Sequence, residues 1–257
     1  WCRGVLLLLI ISLSCHGQNS TTVATPPSDT STCQAAPQGE SKREAANAAL
    51  LKDLEVEWDL PVGCDFSGFF TEMLGYLPEL ENTVGRLLLT SGTCDRNMLA
   101  KIPPREAAAV QRAQANARGG KSKGRIVIQH SEPCAWKKVA DYIEEERPLA
   151  VIGRTMTEAI PSGKQLQALA RCSERADAIW VPTEWHQVVL GEEIPFDKLH
   201  VVPETVDVAF FDPALAPKPP VRPFTFLAVF KWEHRKGWDL LLDAYWSLFE
   251  PSDEVLL

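Results

Sequence analysis

The chain has 257 residues, 45% of them hydrophobic and 23% charged, enough for one full globular domain and part of another. Its net charge is −8, with five histidines and no stretch that gathers lysine and arginine. The basic face that neutralises phosphates along a nucleic acid is missing, so nucleic acid is excluded as the main partner, while a small anion held by a few placed cations is not.

The chain begins at Trp1 and stops at Leu257 inside the apolar run DEVLL, and both ends read as those of a fragment. Arg3 precedes the apolar run VLLLLIISL, and small and polar residues follow it. This is the pattern of a secretory signal over residues 1–17, cleaved or kept as a signal anchor. The run is too short to span a bilayer as a helix, which takes about 20 residues. Residues 18–53 are expected to form a disordered or weakly helical stalk: first a Ser/Thr/Pro/Gln-rich tract, then a short lead-in helix over Glu44–Lys52. Asn19-Ser20-Thr21 is a glycosylation sequon close to the expected cut. Of seven cysteines, Cys2 and Cys15 fall in the signal. Cys33, Cys64, Cys94, Cys134 and Cys172 show no CxxC zinc spacing, and their pairing is not readable from the sequence.

From about Leu54 the pattern alternates between strand and helix. LEVEW is the first strand; Phe69–Glu81 reads as helical, with Pro78 expected to kink the helix or end it early. RLLLT is the second strand. Pro103-Pro104 and Gly119-Gly120 bracket the helix REAAAVQRAQANAR, since proline suits a helix start and glycine its end. GRIVIQH and PLAVIG are short buried strands, QLQALARCSERA a helix, AIWVP a strand, and Thr183 the cap of a helix starting at Glu184. KLHVVP is the next strand. Residues 213–223 are proline-rich and read as a linker between domains. After it come the strand FTFLAVF, a helix from Gly237 and the strand EVLL. Trp238, Leu241, Leu242, Tyr245, Leu248 and Phe249 are the expected apolar face of that helix.

Strands alternating with helices imply a parallel α/β sheet covered on both faces, here over 54–212, with a second such domain beginning at 224–257. Ligands of open α/β sheets bind beyond the carboxyl ends of the strands. Two loci qualify. His130 ends one strand and leads into Ser131, Glu132 and Trp136. An imidazole there can donate to a sugar hydroxyl or a phosphate oxygen, and an indole can stack on a sugar face. Packing of both side chains in the core is the commoner arrangement. The second locus is KWEHRKG, where Lys231, Arg235 and Lys236 meet at a strand-to-helix turn closed by Gly237. Helix N-terminal N–H groups and clustered cations favour phosphate, although most charge runs are solvated turns. No GxGxxG, P-loop or GxSxG fingerprint is present, which argues against dinucleotide, P-loop and hydrolase chemistry.

The segments IQHSEPCAW, VIGRTMTEAIP, RADAIWVPTEWH, KLHVVPETVDVAFFDP and FLAVFKWEHRKGWDLLLDAY occur in this order. Together, from about Trp58 onward, they resemble the eukaryotic branch of the retaining group-one (family four) glycosyltransferases. The resemblance implies a GT-B fold: a Rossmann-like acceptor lobe over 54–212 and the truncated start of a donor-binding lobe over 224–257. It implies transfer of a sugar from a nucleotide-sugar donor to a carbohydrate, lipid or protein acceptor with retention. No metal and no cofactor beyond the donor itself are implied. By match, His130 is the acceptor-lobe histidine near the reacting carbon, and Lys236, with Lys231, Arg235 and Gly237, holds the donor diphosphate. Gly68, Ser131, Glu132 and Trp136 line the acceptor-lobe cleft. There are three departures from the pattern. DFSGFFTE keeps Gly68 but lacks the family's second glycine, Cys134 stands where relatives have glycine, and the paired glutamates of the family would lie beyond Leu257, so the chain as written is not expected to hold a donor properly. The competing readings are a noncatalytic carbohydrate-binding or accessory protein built on such a lobe, and an unrelated α/β binding domain. With the signal, the expected setting is the secretory pathway, with membrane contact only through an uncleaved signal.

Overall fold

The computed structural model describes residues 49–257 except 62, 65, 66, 91, 93, 95, 123, 209, 210 and 217–222. The signal, nearly all of the stalk, the sequon and Cys33 lie outside the described residues, as does half of the linker. The chain divides into two compact units, 1–206 and 207–257.

In the first unit six short strands form one parallel sheet: β1 (Glu55–Asp59), β2 (Arg86–Thr90), β3 (Ile126–His130), β4 (Ala150–Arg154), β5 (Ala178–Val181) and β6 (Leu199–Val201). Their order is β2-β1-β3-β4-β5-β6, so the direction of winding reverses between β1 and β3. The helices are α1 (Gly68–Thr83), the single turn α2 (Arg96–Leu99), α3 (Pro104–Arg118), α4 (Gly163–Ser173) and α5 (Glu184–Leu190). Residues 49–52 are helical, at the end of the expected lead-in helix.

Strand alternation sorts the core into two layers. Val56, Trp58, Ile126, Ile128, Ile152 and Trp180 pack with α1 and α3 on one side. Val151, Ile179 and Val181 pack with Leu166 of α4 and Leu190 of α5 on the other. Under β1 this second face is polar. Glu55 and Glu57 alternate with Val56 and Trp58 in EVEW and are buried against cations. Glu57 pairs with Arg125 and with Lys121 (2.8 Å), and it accepts from Thr90 Oγ1 at 2.6 Å. Glu55 pairs with Arg86 at 2.6 Å and accepts from Ser122 N at 2.7 Å.

The strands and α3 lie where the sequence places them, and Thr183 caps α5 by accepting from His186 N. Of the two effects expected of Pro78, an early end does not occur: Pro78 sits inside α1 and the helix runs on to Thr83. A proline there removes one intrahelical bond, but Leu74, Leu77, Pro78 and Leu80 are all buried, and that packing carries the helix past the break. Three short 3₁₀ turns that the sequence reading left unassigned occupy Pro133–Ala135, Val139–Asp141 and Glu144–Glu146.

The second unit holds β7 (Phe224–Thr225), α6 (Trp238–Leu248) and β8 (Val255–Leu256), with β7 and β8 paired in parallel. The expected strand FTFLAVF is strand only over its first two residues. Its partner β8 is equally short, so beyond the bond from Phe226 N to Leu256 O (2.9 Å) no further rung is available. No residue of α6 is buried; Leu240, Trp246 and Leu248 are each 70% exposed or more.

Candidate functional site

The carboxyl ends of β1, β3 and β4 meet where the winding reverses, the usual place for a ligand in such a sheet. A cleft of about 460 Å³ opens there. Ser67, Gly68 and Phe69 at the start of α1 form one part of its wall, and Glu132 and Pro133 after β3 another. Thr155 to Glu158 after β4 supply a third, and Trp136, Leu169 and Ile179 add apolar surface.

Each piece of wall is held by a local device. Ser67 caps α1 by accepting from Phe70 N at 3.2 Å, and its carbonyl accepts from Thr71 N at 3.0 Å. No described residue accepts from the N–H of Gly68 or Phe69. A Cβ on Gly68 would meet nothing within 4 Å, so this glycine borders open space. The loop entering α1 is tied to the loop after β2 by the disulfide Cys64–Cys94, with Cα atoms 5.2 Å apart. The same loops touch at Gly63 and Gly92, whose φ angles of 70° and 63° favour glycine. Gly63 therefore supplies a turn glycine upstream of Gly68, at a place where the sequence reading had found none.

Residues 130–137 leave β3 and return to it. Gln129 clamps Lys137 twice, accepting from its N–H at 2.7 Å and donating to its carbonyl at 2.6 Å. Trp136 donates its indole N–H to the carbonyl of Ser131 at 3.1 Å. The Trp136 ring lies against Gly153 of β4, where any Cβ would overlap it. Trp136 is thus a core side chain with one surface on the cleft, not a free stacking platform. The disulfide Cys134–Cys172, Cα atoms 4.7 Å apart, ties this loop to α4. The cysteine that replaces the glycine of the resembling family is therefore a crosslink.

Glu132 is exposed, and among the described residues its carboxylate has no hydrogen-bond or ion-pair partner. Partial burial at the cleft pushes its pKa up. Across the cleft, His186 holds the β4–α4 loop. Its Nε2 lies 3.0 Å from the carbonyl of Thr157 and its Nδ1 2.8 Å from Thr183 Oγ1. Burial pushes the His186 pKa down, which matches a neutral ring donating through Nε2 to Thr157.

His130 is fully buried and is not part of the cleft wall. Its ring meets Phe69 and Trp58 edge-on, with centroids 4.9 and 5.6 Å away, so Phe69 stands between α1's open end and the imidazole. Its Nε2 is 3.1 Å from Glu72 Oε2, close enough for an ion pair but outside hydrogen-bond geometry, and among the described residues Nδ1 has no hydrogen-bond partner. Glu72 also binds Arg154, whose Nε donates to Oε1 at 2.6 Å and whose Nη1 donates to the carbonyl of Val202 at 2.8 Å. Burial pushes the Glu72 carboxyl up, but His130 and Arg154 beside it hold it below its ordinary value. Ser131 is buried as well; its backbone N–H bonds to Arg154 and its hydroxyl has no partner.

Sequence reasoning missed Glu72 and Arg154. The available signal was an arginine closing the apolar strand AVIGR, since a charge in that position needs a buried partner. It also missed His186, whose i−3 threonine is a cap signal that says nothing about a loop far away in sequence.

The second locus lies in the other unit. Lys231 pairs with Glu233 at 2.6 Å, and Arg235 Nε lies 3.0 Å from the same carboxylate. Lys236, in the 3₁₀ turn His234–Lys236, has no ion-pair partner among the described residues. Gly237 has a left-handed φ of 70° and precedes α6, with Asp239 in its first turn. Two of the three expected cations are thus shared with one glutamate, and Lys236 remains available to an anion. Among the described residues no His, Cys, Asp and Glu side chains gather as a metal-binding set. Compared with family models, with curated proteins and with solved structures, the chain matches none.

Proposed function

We propose that the chain carries the acceptor lobe, and the start of the donor lobe, of a retaining GT-B glycosyltransferase that uses a nucleotide sugar. One observation carries the reading furthest. Residues from three of the sequence segments discussed above, Ser67 and Gly68, Glu132, Pro133 and Trp136, and Thr155 to Glu158, are far apart in the chain yet line the same cleft at the reversal of the sheet. His130 lies just behind it, as a support for α1 through Glu72 and Phe69. In the second unit Lys236 stands at a helix-leading turn without an ion-pair partner among the described residues, the arrangement that stabilises charge on a departing diphosphate. The two disulfides support a secretory setting, since such bonds persist in oxidising compartments.

The test is a transfer assay with UDP- and GDP-linked hexoses, on this chain and on any longer product of its gene. Transfer with retained anomeric configuration is expected. Lys236→Ala should lower kcat/KM by about 10²–10³, the usual loss for a partner of developing charge. Turnover unchanged in that variant would remove Lys236 from the mechanism. The second reading, a noncatalytic carbohydrate-binding or accessory protein, draws on Glu233, which offsets charge on Lys231 and Arg235. Carbohydrate binding with no transfer from any nucleotide sugar would favour it.

A further inference from the structure

The cleft has an unusual balance of charge. Glu132 and Glu158 line it, and among the described residues no lysine, arginine or histidine does. Its remaining wall is largely apolar, including Phe69, Trp136, Met156, Leu190 and Ile194. Among the described residues its positive feature is the amino end of α1, a helix of 16 residues whose first residues line the cleft. A second depression of about 370 Å³ shares Glu132, Thr157 and Leu169 with the cleft and continues past Ile160 and Pro161. Glu132 therefore stands where two apolar hollows join, with a carboxylate that no described residue satisfies.

A carboxylate at the edge of apolar surface is stabilised by a ligand that donates a hydrogen bond to it. An anionic ligand in this cleft meets the Glu132 carboxylate, which repels it. A full cation suits Glu132 but faces the positive end of α1. A hydroxyl matches both walls, because it donates to a carboxylate and accepts from a helix N–H. We infer that this cleft binds an uncharged molecule with an extended apolar body and a hydroxyl head, the hydroxyl bonded to Glu132. The size of the cleft falls within the ~300–1,000 Å³ typical of sites for such molecules. Its role as the sugar acceptor rests on the transferase reading; the ligand class does not.

The test measures binding without any donor, so its outcome is separate from that of the transfer assay. The whole chain is titrated calorimetrically at neutral pH with three probes that share one body: para-hydroxybiphenyl, para-aminomethylbiphenyl and biphenyl-para-carboxylate. The hydroxyl probe is expected to bind at least about tenfold more tightly than the carboxylate and more tightly than the ammonium. Gly68→Leu should abolish its binding, because Gly68 lines the cleft and a Cβ there meets nothing within 4 Å, which leaves the added side chain to fill the space the ligand needs. Glu132→Gln, on an exposed residue that no described contact needs for folding, should narrow the gap between hydroxyl and carboxylate to less than about threefold. Circular dichroism establishes that both variants are folded. The proposal is overturned if the carboxylate or ammonium probe binds as well as the hydroxyl, if Gly68→Leu leaves binding intact, or if no probe binds at about 1 mM.

Discussion

Glu72 shows how a single side chain holds the region behind the cleft together. It lies on α1 and meets Arg154 from β4 and His130 from β3, all with almost no exposure. Removing one partner of a buried pair strands the other charge, which costs about 3–5 kcal/mol. Glu72→Ala should lower unfolding stability by that amount in urea titrations, and Glu72→Leu with Arg154→Leu should recover much of it. A loss below about 1 kcal/mol for the single change would mean that water reaches Arg154 after all. The same residues set an acid limit. Burial raises the carboxyl pKa of Glu57 and Glu72, but the hydrogen bonds and cations beside them together outweigh it, so both end below the ordinary value of 4.5. A carboxylate depressed in the folded state adds stability above its unfolded pKa and loses it as pH falls through the folded one. The urea midpoint should therefore hold steady down to about pH 5 and fall steeply below it. A flat profile to about pH 3 would show that neither pair contributes.

At the scale of elements, α1 meets the segment that leaves β6. Tyr76 donates to the carbonyl of Pro203, and Arg154 donates to that of Val202. Gly75 is pressed against Thr205, so that a Cβ there would overlap the threonine side chain. In an ordinary exposed helix position Gly→Ala stabilises by about 0.5–1 kcal/mol. Here the sign should reverse. Gly75→Ala is expected to destabilise by about 1–3 kcal/mol and to speed amide exchange over residues 202–206, and Thr205→Gly in the same chain should relieve it. A stabilising Gly75→Ala would mean that this segment moves aside freely. The disulfides work at this scale too, joining the loops after β1 and β2 and the loop after β3 to α4. Closing loops of 30 and 38 residues restricts the unfolded chain more than it adds folded contacts.

Across the molecule the two units differ in how much core they own. The first has two apolar layers on a six-stranded sheet. The second has a helix with no buried residue on a pair of two-residue strands. Local opening costs little where few apolar contacts are broken. Among the described residues, limited proteolysis under native conditions is expected to cut within 207–257 first and to leave a resistant product ending near Val206. Equal rates of cutting in both units would show that the second is better packed than its exposure suggests.

The sequence by itself determined the six strands of the sheet, the parallel α/β class, the helix start at Pro104, the cap at Thr183 and the locus after β3. These follow from periodicity and from turn chemistry, which act over a few residues. Only the tertiary structure decided the strand order, and with it the reversal between β1 and β3 that gathers Gly68, Glu132 and Thr155 around one cleft. It decided that Pro78 continues α1, that His130 is buried behind Phe69, and that Cys134 pairs with Cys172. Burial, pairing and crosslinks depend on residues that the chain brings together from far apart, and no local pattern in the sequence encodes which partners will meet.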